Sequence, residues 1–316
     1  MTGTGLETAA QWLRQGEVVA IPTETVYGLA GNALDPAAVA RIFEVKNRPR
    51  FNPLIVHTHS LMAAADWLAP YPDTVLQLAA AFWPGPLTLL LPKSPLIPHL
   101  VTAGHDRVAI RIPAHPLTLS LLESLDFPLA APSANPFGYI SPTTAAHVAD
   151  QLGDNIPYIL DGGPCQVGVE STIIGLEPDG RWCLYRSGGL AAEKIEAVTG
   201  PLYPVGNQHD SPSAPGMLSS HYAPRTPLHL RQDTPAVAPV PPAGTAVIGF
   251  DQYLPGYPAA HQYLLSPDGD LREAARHLFA LLRTLDQAGY TSIWAFPVPD
   301  TGLGRAINDR LRRAGV

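Results

Sequence analysis

The sequence predicts an α/β fold in two parts: a large domain built on a twisted mixed sheet with flanking helices, and a smaller α/β domain after it. Helical and strand periodicities interleave over residues 1–200, with many short strands. Periodicity then collapses across 201–226 into Pro, Ser, Gly and Asn, which reads as a linker. The 316 residues are roughly twice the length of an average domain, and a fresh strand–helix–strand pattern occupies 227–316.

Residues 6–15 read as an amphipathic helix, followed by the strand "EVVAIP". Asp35 before Pro36 predicts a helix start, an N-cap followed by proline at the first helical position. Val39, Ile42 and Phe43 supply its apolar stripe, and the helix should end near Lys46. "PLIVH" is a buried strand, and helices are predicted over 61–69 and 73–83. "LTLLLP" and "RVAIRIP" are strands, 115–125 a helix, and "PLAAPSAN" a short strand that breaks into a polar loop. "TTAAHVADQLG" is a helix with a threonine start and Gly153 as its stop, and "YILDGG", "STIIGLE" and "WCLYRSG" complete the strands. In the smaller domain "AVIGF" and "SIWAFP" are strands. Between them Asp270 and Glu273 predict a capping box, and Leu271, Ala275, Leu278, Leu282 and Leu285 keep helical spacing as far as Gly289. Residues 303–313 form the last predicted helix.

The net charge is −7 and charged residues make up only 15% of the chain, which argues against broad nucleic-acid binding through many phosphate contacts but leaves room for a local basic site. The N-terminus shows no basic segment leading into a long apolar one, and "LAAAFWPGPLTLLLP" is broken by Pro84 and Pro86, so neither a secretory signal nor a membrane span is expected. Cys165 and Cys183 are too few for a disulfide framework and lack metal-ligand spacing, which fits a reducing cytoplasm. There is no P-loop, no strand-anchored dinucleotide fingerprint and no nucleophile elbow.

What stands out is where polar residues sit. Lys46, Arg48 and Arg50 crowd between a helix end and a buried strand. A cation in a helix's last turn suits the macrodipole and exposed arginines are usually solvated, so the residues alone leave Lys46 and Arg48 undecided and favour surface for Arg50. Loops at strand ends are where open α/β sheets bind ligands, and polyphosphate needs placed cations. Thr23, Glu24 and Thr25 interrupt an apolar run at another strand end, which suits a small polar ligand. "APSANPFGYIS" is an ordinary turn composition, and Arg111 in an alternating strand either snorkels or offers its fork to a carboxylate. The histidines are scattered and read as loop or core residues rather than metal ligands.

Taken in order, "PTETVYGLAGNA", "FEVKNRPRFNPLIVH", "RVAIRIPAHP", "APSANPFGYISPT" and "GVESTIIG" resemble the threonylcarbamoyl-AMP synthase family, the YrdC-like domain proteins. "APGMLSSHYAP" and "GLGRAINDRLRRAG" resemble its longer subgroup, which carries an additional C-terminal domain; the resemblance thus covers nearly the whole chain. It implies a YrdC-like sheet with a Rossmann-like partner domain, and a nucleotidyltransferase that makes threonylcarbamoyl-adenylate and pyrophosphate from L-threonine, bicarbonate or CO2, and ATP. The product would serve modification of adenosine 37 in tRNA through a downstream threonylcarbamoyl-transferase machinery, with at most a weak tRNA contact of its own and no membrane.

Carried over by motif, Lys46 and Arg48 with Ser133 and Asn135 would hold ATP phosphates, with Asn52, Ser141 and Arg186 also at the nucleotide. Thr25, His57, Arg111 and Ser171 would hold threonine, and Tyr222 in the linker would close over the nucleotide. No side-chain nucleophile is expected; Lys46 and Arg48 would act by charge stabilisation, and Mg²⁺ would arrive on the ATP phosphates with few protein ligands. One departure is plain: where the family linker carries basic residues, this chain has Leu218, Ser219 and Ser220, so their phosphate contact is lost. Two other readings are an RNA-binding module without catalysis and a carbamoyl-transfer enzyme of metallocentre maturation. The acidic charge weighs against the first, and the lack of zinc-finger and acylphosphatase-like segments against the second.

Overall fold

The structure, a computed structural model, describes residues 1–206, 212–218, 221–233 and 238–315. The larger part runs β1 (Thr2–Gly3), α1 (Leu6–Arg14), β2 (Val19–Ile21), β3 (Gly28–Asn32), α2 (Pro36–Lys46), β4 (Ile55–His57), α3 (Asp73–Phe82), β5 (Leu87–Pro92) and β6 (Arg107–Arg111). It continues with α4 (Pro116–Ser124), β7 (Leu129–Ala130), α5 (Ala145–Leu152), β8 (Tyr158–Leu160), β9 (Thr172–Leu176), β10 (Trp182–Arg186), α6 (Ala192–Thr199) and β11 (Tyr203–Pro204). Its strands form one mixed sheet in the order β1-β8-β2-β3-β7-β4-β6-β5-β9-β10-β11. The smaller part runs β12 (Leu228–Leu230), β13 (Thr245–Gly249), β14 (Gln262–Leu264), α7 (Leu271–Gln287), β15 (Ser292–Ala295) and α8 (Gly304–Ala314), with a wholly parallel sheet ordered β12-β15-β13-β14.

Strand parity decides which core each residue joins. Ala20 and Leu29 face the core shared with Val39, Ile42 and Phe43 of α2, whereas their neighbours Val19, Ile21 and Ala30 join α1 and α4 on the other face. Further along the sheet no helix among the described residues joins the cluster on that second face. There Ile55, Leu90, Ala109 and Ile173 pack against Ala214 and Met217 of the linker. A loop has replaced a helix over the middle of the sheet, and a cavity opens beside it.

The start of α2 is as predicted: Asp35 accepts from the Ala37 amide at 2.9 Å, and Asn47 ends the helix in the left-handed region (φ 51°). Thr144 likewise caps α5 through the His147 amide at 3.2 Å. Three expectations fail. Residues 61–69 form only a single 3-10 turn over Ala65–Trp67, because Ser94 engages the carbonyls of Asp66 and Trp67 through its hydroxyl and amide. After the strand end at Thr23–Thr25, where no second strand is predicted, the chain re-enters the sheet as β3, antiparallel to β2. Asp270 does cap α7, but Glu273 accepts the Ser266 hydroxyl at 2.5 Å and closes no capping box; the Asp270 amide donates to Ser266 instead.

The two parts share a continuous apolar interface in which Val26, Ile140, Val169 and Tyr222 join α7 and α8. Gly168 (φ 82°) marks a close approach: a Cβ there would lie 2.4 Å from the Ala275 carbonyl oxygen.

Candidate active site

The cavity beside the linker encloses about 580 Å³ including its open mouth. Eight of the predicted site residues line it: Thr25, Arg48, His57, Arg111, Ser133, Ser171, Arg186 and Tyr222. The remaining four, Lys46, Asn52, Asn135 and Ser141, are all buried and sit in the layer immediately behind it.

At one end the last turn of α2 meets the loop after β7. The Lys46 ammonium, only 1% exposed, donates to the carbonyls of Ser133 and Asn135 at 2.5 Å each, which ties the two predicted motifs together across 87 residues. Burial, with Arg48 beside it, pushes the Lys46 ammonium well below its ordinary pKa. Arg48 is anchored by the carbonyls of Asn52 and Pro53, at 3.3 and 2.9 Å, and lies 5.9 Å from the centre of the Phe137 ring. Its guanidinium is lowered by burial to about 9. Both ends of the Asn52 side-chain amide and the Asn135 side-chain oxygen are buried without a partner among the described residues. Such groups are costly unless a ligand completes them. Arg50, by contrast, is exposed, as its ordinary explanation requires.

At the other end β4 and β6 run parallel, with His57 and Arg111 in register. The Arg111 fork donates through Nη2 to Glu24 Oε1 at 2.6 Å and through Nε to the Gly85 carbonyl at 3.3 Å. It is 4% exposed and does not snorkel. Burial, reinforced by Arg111, holds His57 neutral with its pKa lowered to about 3, and Nδ1 lies 3.2 Å from the Ile55 carbonyl. The Thr23 hydroxyl accepts the amides of Thr25 and Val26 and lies 2.8 Å from the Thr25 hydroxyl, which fixes that side chain toward the cavity.

The two ends touch. Ser171 Oγ, predicted at the amino acid, accepts from Arg186 Nη2, predicted at the nucleotide, at 3.1 Å, and lies 2.7 Å from Thr88 Oγ1. Arg186 also donates to the Ser171 carbonyl and to the Pro215 carbonyl of the linker. At Gly216 (φ 80°) the linker passes close, since a Cβ there would lie 2.9 Å from Arg186 Cδ. Tyr222 follows in the left-handed region (φ 67°), a conformation non-glycine residues keep mainly at functional positions. It stacks on Phe279 of α7, and its neighbour His221 is held well below the ordinary imidazole pKa by burial and then by Arg48 and Lys46.

Sequence reasoning missed the smaller part's contribution. Arg310 of α8 is fully buried; Nε donates to Glu170 Oε2 at 2.8 Å, and the guanidinium lies 4.9 Å from the Tyr222 ring centre. Glu170 in turn accepts the Ser141 hydroxyl at 2.5 Å, so a predicted nucleotide contact is linked to the other sheet. Burial alone would raise the Glu170 carboxyl, but Arg310 and Arg186 bring it below its ordinary value. Arg283 of α7 donates to the carbonyls of Ile140, Ser141 and His147 and to Gln151, holding the loop that carries Asn135 and Ser141. The sole signal in the sequence is Glu170 itself, a carboxylate beside two strand-forming apolar runs. Ser219 and Ser220, where the basic linker residues are absent, lie outside the described residues; Leu218 offers its carbonyl to Arg313 Nη1.

A family model described as "Telomere recombination", that of the Sua5/YciO/YrdC domain, matches residues 11–188, and one described as "Threonylcarbamoyl-AMP synthase, C-terminal domain" matches 190–315. The chain belongs to the Sua5 family. It is 43% identical to the threonylcarbamoyl-AMP synthase of Pyrococcus abyssi, across 98% of this chain and 93% of that one. Against the enzyme of the same name from Bacillus subtilis the identity is 42%, covering 97% and 91%. The crystal structure of P. abyssi Sua5 complexed with L-threonine superposes with a TM-score of 0.88 at 41% identity, over 98% and 94% of the two chains. Sua5 membership makes the chain an enzyme and accounts for both sheets. No helix among the described residues is long and apolar enough to cross a membrane.

Proposed function

We propose that this chain is an L-threonylcarbamoyladenylate synthase, a nucleotidyltransferase that joins L-threonine, CO2 or bicarbonate, and ATP into threonylcarbamoyl-AMP and pyrophosphate. The observation that carries the reading is the hydrogen bond between Arg186 and Ser171, which makes a cationic end and an amino-acid end one continuous surface. The threonine amine forms an N–C bond with CO2 and releases a proton, and a carbamate oxygen then attacks the α-phosphorus while pyrophosphate leaves. Neither step requires an enzyme nucleophile; both require proximity, charge stabilisation and exclusion of water.

The roles follow the geometry. Lys46, Arg48 and Arg186 meet phosphate charge, and a polyanion beside the lowered Lys46 would favour its charged form. Asn52, Asn135, Ser133 and Ser141 supply hydrogen bonds around the nucleotide, and the unpaired Asn52 amide and Asn135 side-chain oxygen are the groups a ligand would complete. Arg111 presents its fork to the threonine carboxylate, with Thr25, His57 and Ser171 around the rest of the amino acid. Tyr222 and the 212–218 segment cover the cavity.

Magnesium arrives with ATP. The described residues hold no cluster of three His, Cys, Asp or Glu side chains fit for a metal, and the two carboxylates at the site, Glu24 and Glu170, are both engaged by arginines. Phosphate oxygens and water would therefore hold it. The product is a mixed anhydride whose consumer is a threonylcarbamoyl-transferase acting on tRNA in the cytoplasm.

The test is pyrophosphate release from Mg-ATP by the pure protein. Release that needs both L-threonine and bicarbonate is expected; none under those conditions overturns the reading.

A further inference from the structure

The two ends of the cavity differ in charge. The phosphate end gathers Lys46, Arg48 and Arg186. The amino-acid end has a single cation, Arg111, and that cation is matched by a buried carboxylate. Glu24 sits between Thr23 and Thr25, whose side chains line the cavity, but its own side chain points behind the wall. One oxygen takes Arg111 Nη2 at 2.6 Å and the other the Ala114 amide at 3.0 Å. Of the other titratable groups there, His57 is neutral and burial pushes the Cys165 thiol up. The amino-acid end is therefore formally uncharged, which suits a zwitterion, while the phosphate end is formally +3.

A lone Arg111 would not suit it. Buried in the same cavity as Arg48 and Arg186, it would be a good site for any oxyanion, including the phosphates of ATP and the pyrophosphate just formed. We propose that Glu24 is a specificity-determining residue: by cancelling the charge of Arg111 it keeps inorganic and nucleotide phosphate out of the amino-acid end and confines them to Lys46, Arg48 and Arg186. Glu24 touches no substrate and acts through Arg111. Specificity of this kind rests on disfavouring the wrong ligand rather than on tightening the right one. The inference depends on Arg111 facing the threonine carboxylate, as proposed above.

The experiment is calorimetric titration of L-threonine into the nucleotide-free full-length protein, with and without sulfate at constant ionic strength. In the wild type sulfate leaves the affinity for threonine unchanged. In Glu24→Gln, which keeps the shape and loses the charge, sulfate competes and weakens apparent threonine binding by about tenfold. Glu24→Asp, which keeps the charge, follows the wild type. A purely structural Glu24 would lower the melting temperature of the Gln variant without creating sulfate competition, and that result overturns the proposal. Competition by sulfate in the wild type overturns it too, even if the Gln variant does not fold. A wild type that binds no threonine at all removes the underlying reading of the site, an outcome distinct from either.

Discussion

Two buried polar regions meet at Ser141, and they are built on opposite rules. On the smaller part's side, Arg283 makes four hydrogen bonds to the 140–151 segment, and Arg310 pairs with Glu170. On the cavity's side, among the described residues, Asn52 has no partner for either end of its amide, and Asn135 has none for its oxygen. The first region has most of its polar groups paired, with Arg310 Nη2 left without a partner among the described residues, and it holds the two sheets together. The second keeps its polar groups unpaired and so is built for something the chain itself does not supply. Burial alone does not separate the two; the state of the hydrogen bonds does.

The largest expected effect breaks the satisfied region. Glu170→Ala strips the fully buried Arg310 of one of its two carboxylate partners, Asp309 being the other, and frees the Ser141 hydroxyl. Loss of one partner of a buried pair costs about 3–5 kcal/mol. Chemical denaturation should show that loss, and activity should fall with it, because Ser141 and Tyr222 both lean on the same pair. Replacing both partners, as in Glu170→Gln with Arg310→Met, should recover much of the stability. Equal stability in the Ala variant and the wild type would remove Glu170–Arg310 from the interface's support.

The cavity's half of this was far more legible in the sequence than the interface's half. Lys46 and Arg48 stood out because cations beside a buried strand are unusual, and the apolar stripes of α2 and the strands around it follow ordinary periodicity. β3 was harder, since "GLAGN" is small and glycine-rich and carries no strand signature. α8 is predicted as a helix over 303–313 and found at Gly304–Ala314, but its buried polar face was hidden. Asn308, Arg310 and Arg313 are buried in a helix whose composition reads as solvated surface, because periodicity reports apolar faces and is blind to a polar face that meets polar partners. Glu170 and Arg310 are 140 positions apart, and only the packed fold brings them together.

A smaller effect follows from the neutral histidines. His57 has a folded pKa of about 3 and His221 is also well below 6.5, so between their folded and unfolded values the unfolded chain binds more protons. Stability therefore falls as pH drops below about 6.5, by about 1.4 kcal/mol per pH unit for each such histidine. Glu170 adds to the loss only lower, within and below the ordinary carboxylate range, where its depressed group finally protonates. Denaturant midpoints at pH 7.5 and 5.5 should differ accordingly, and His57→Asn should flatten the slope. A stability independent of pH over that interval would mean that these imidazoles are not held neutral.

The smallest expected effect on stability is also the sharpest test of the contrast. Asn52→Ala removes a buried amide that contributes no hydrogen bond to the free protein, so its loss should leave the folding free energy within about 1 kcal/mol of the wild type, or improve it. The neighbouring Arg48 would be undisturbed, since it uses the Asn52 carbonyl and not its side chain. Binding should respond in the opposite sense. If the amide completes the nucleotide site, Mg-ATP affinity falls by roughly tenfold or more, the cost of a hydrogen bond to a charged group, while L-threonine affinity holds. Calorimetry with each ligand separates the outcomes: a variant that loses stability without losing ATP affinity would move Asn52 from the unsatisfied region to the satisfied one.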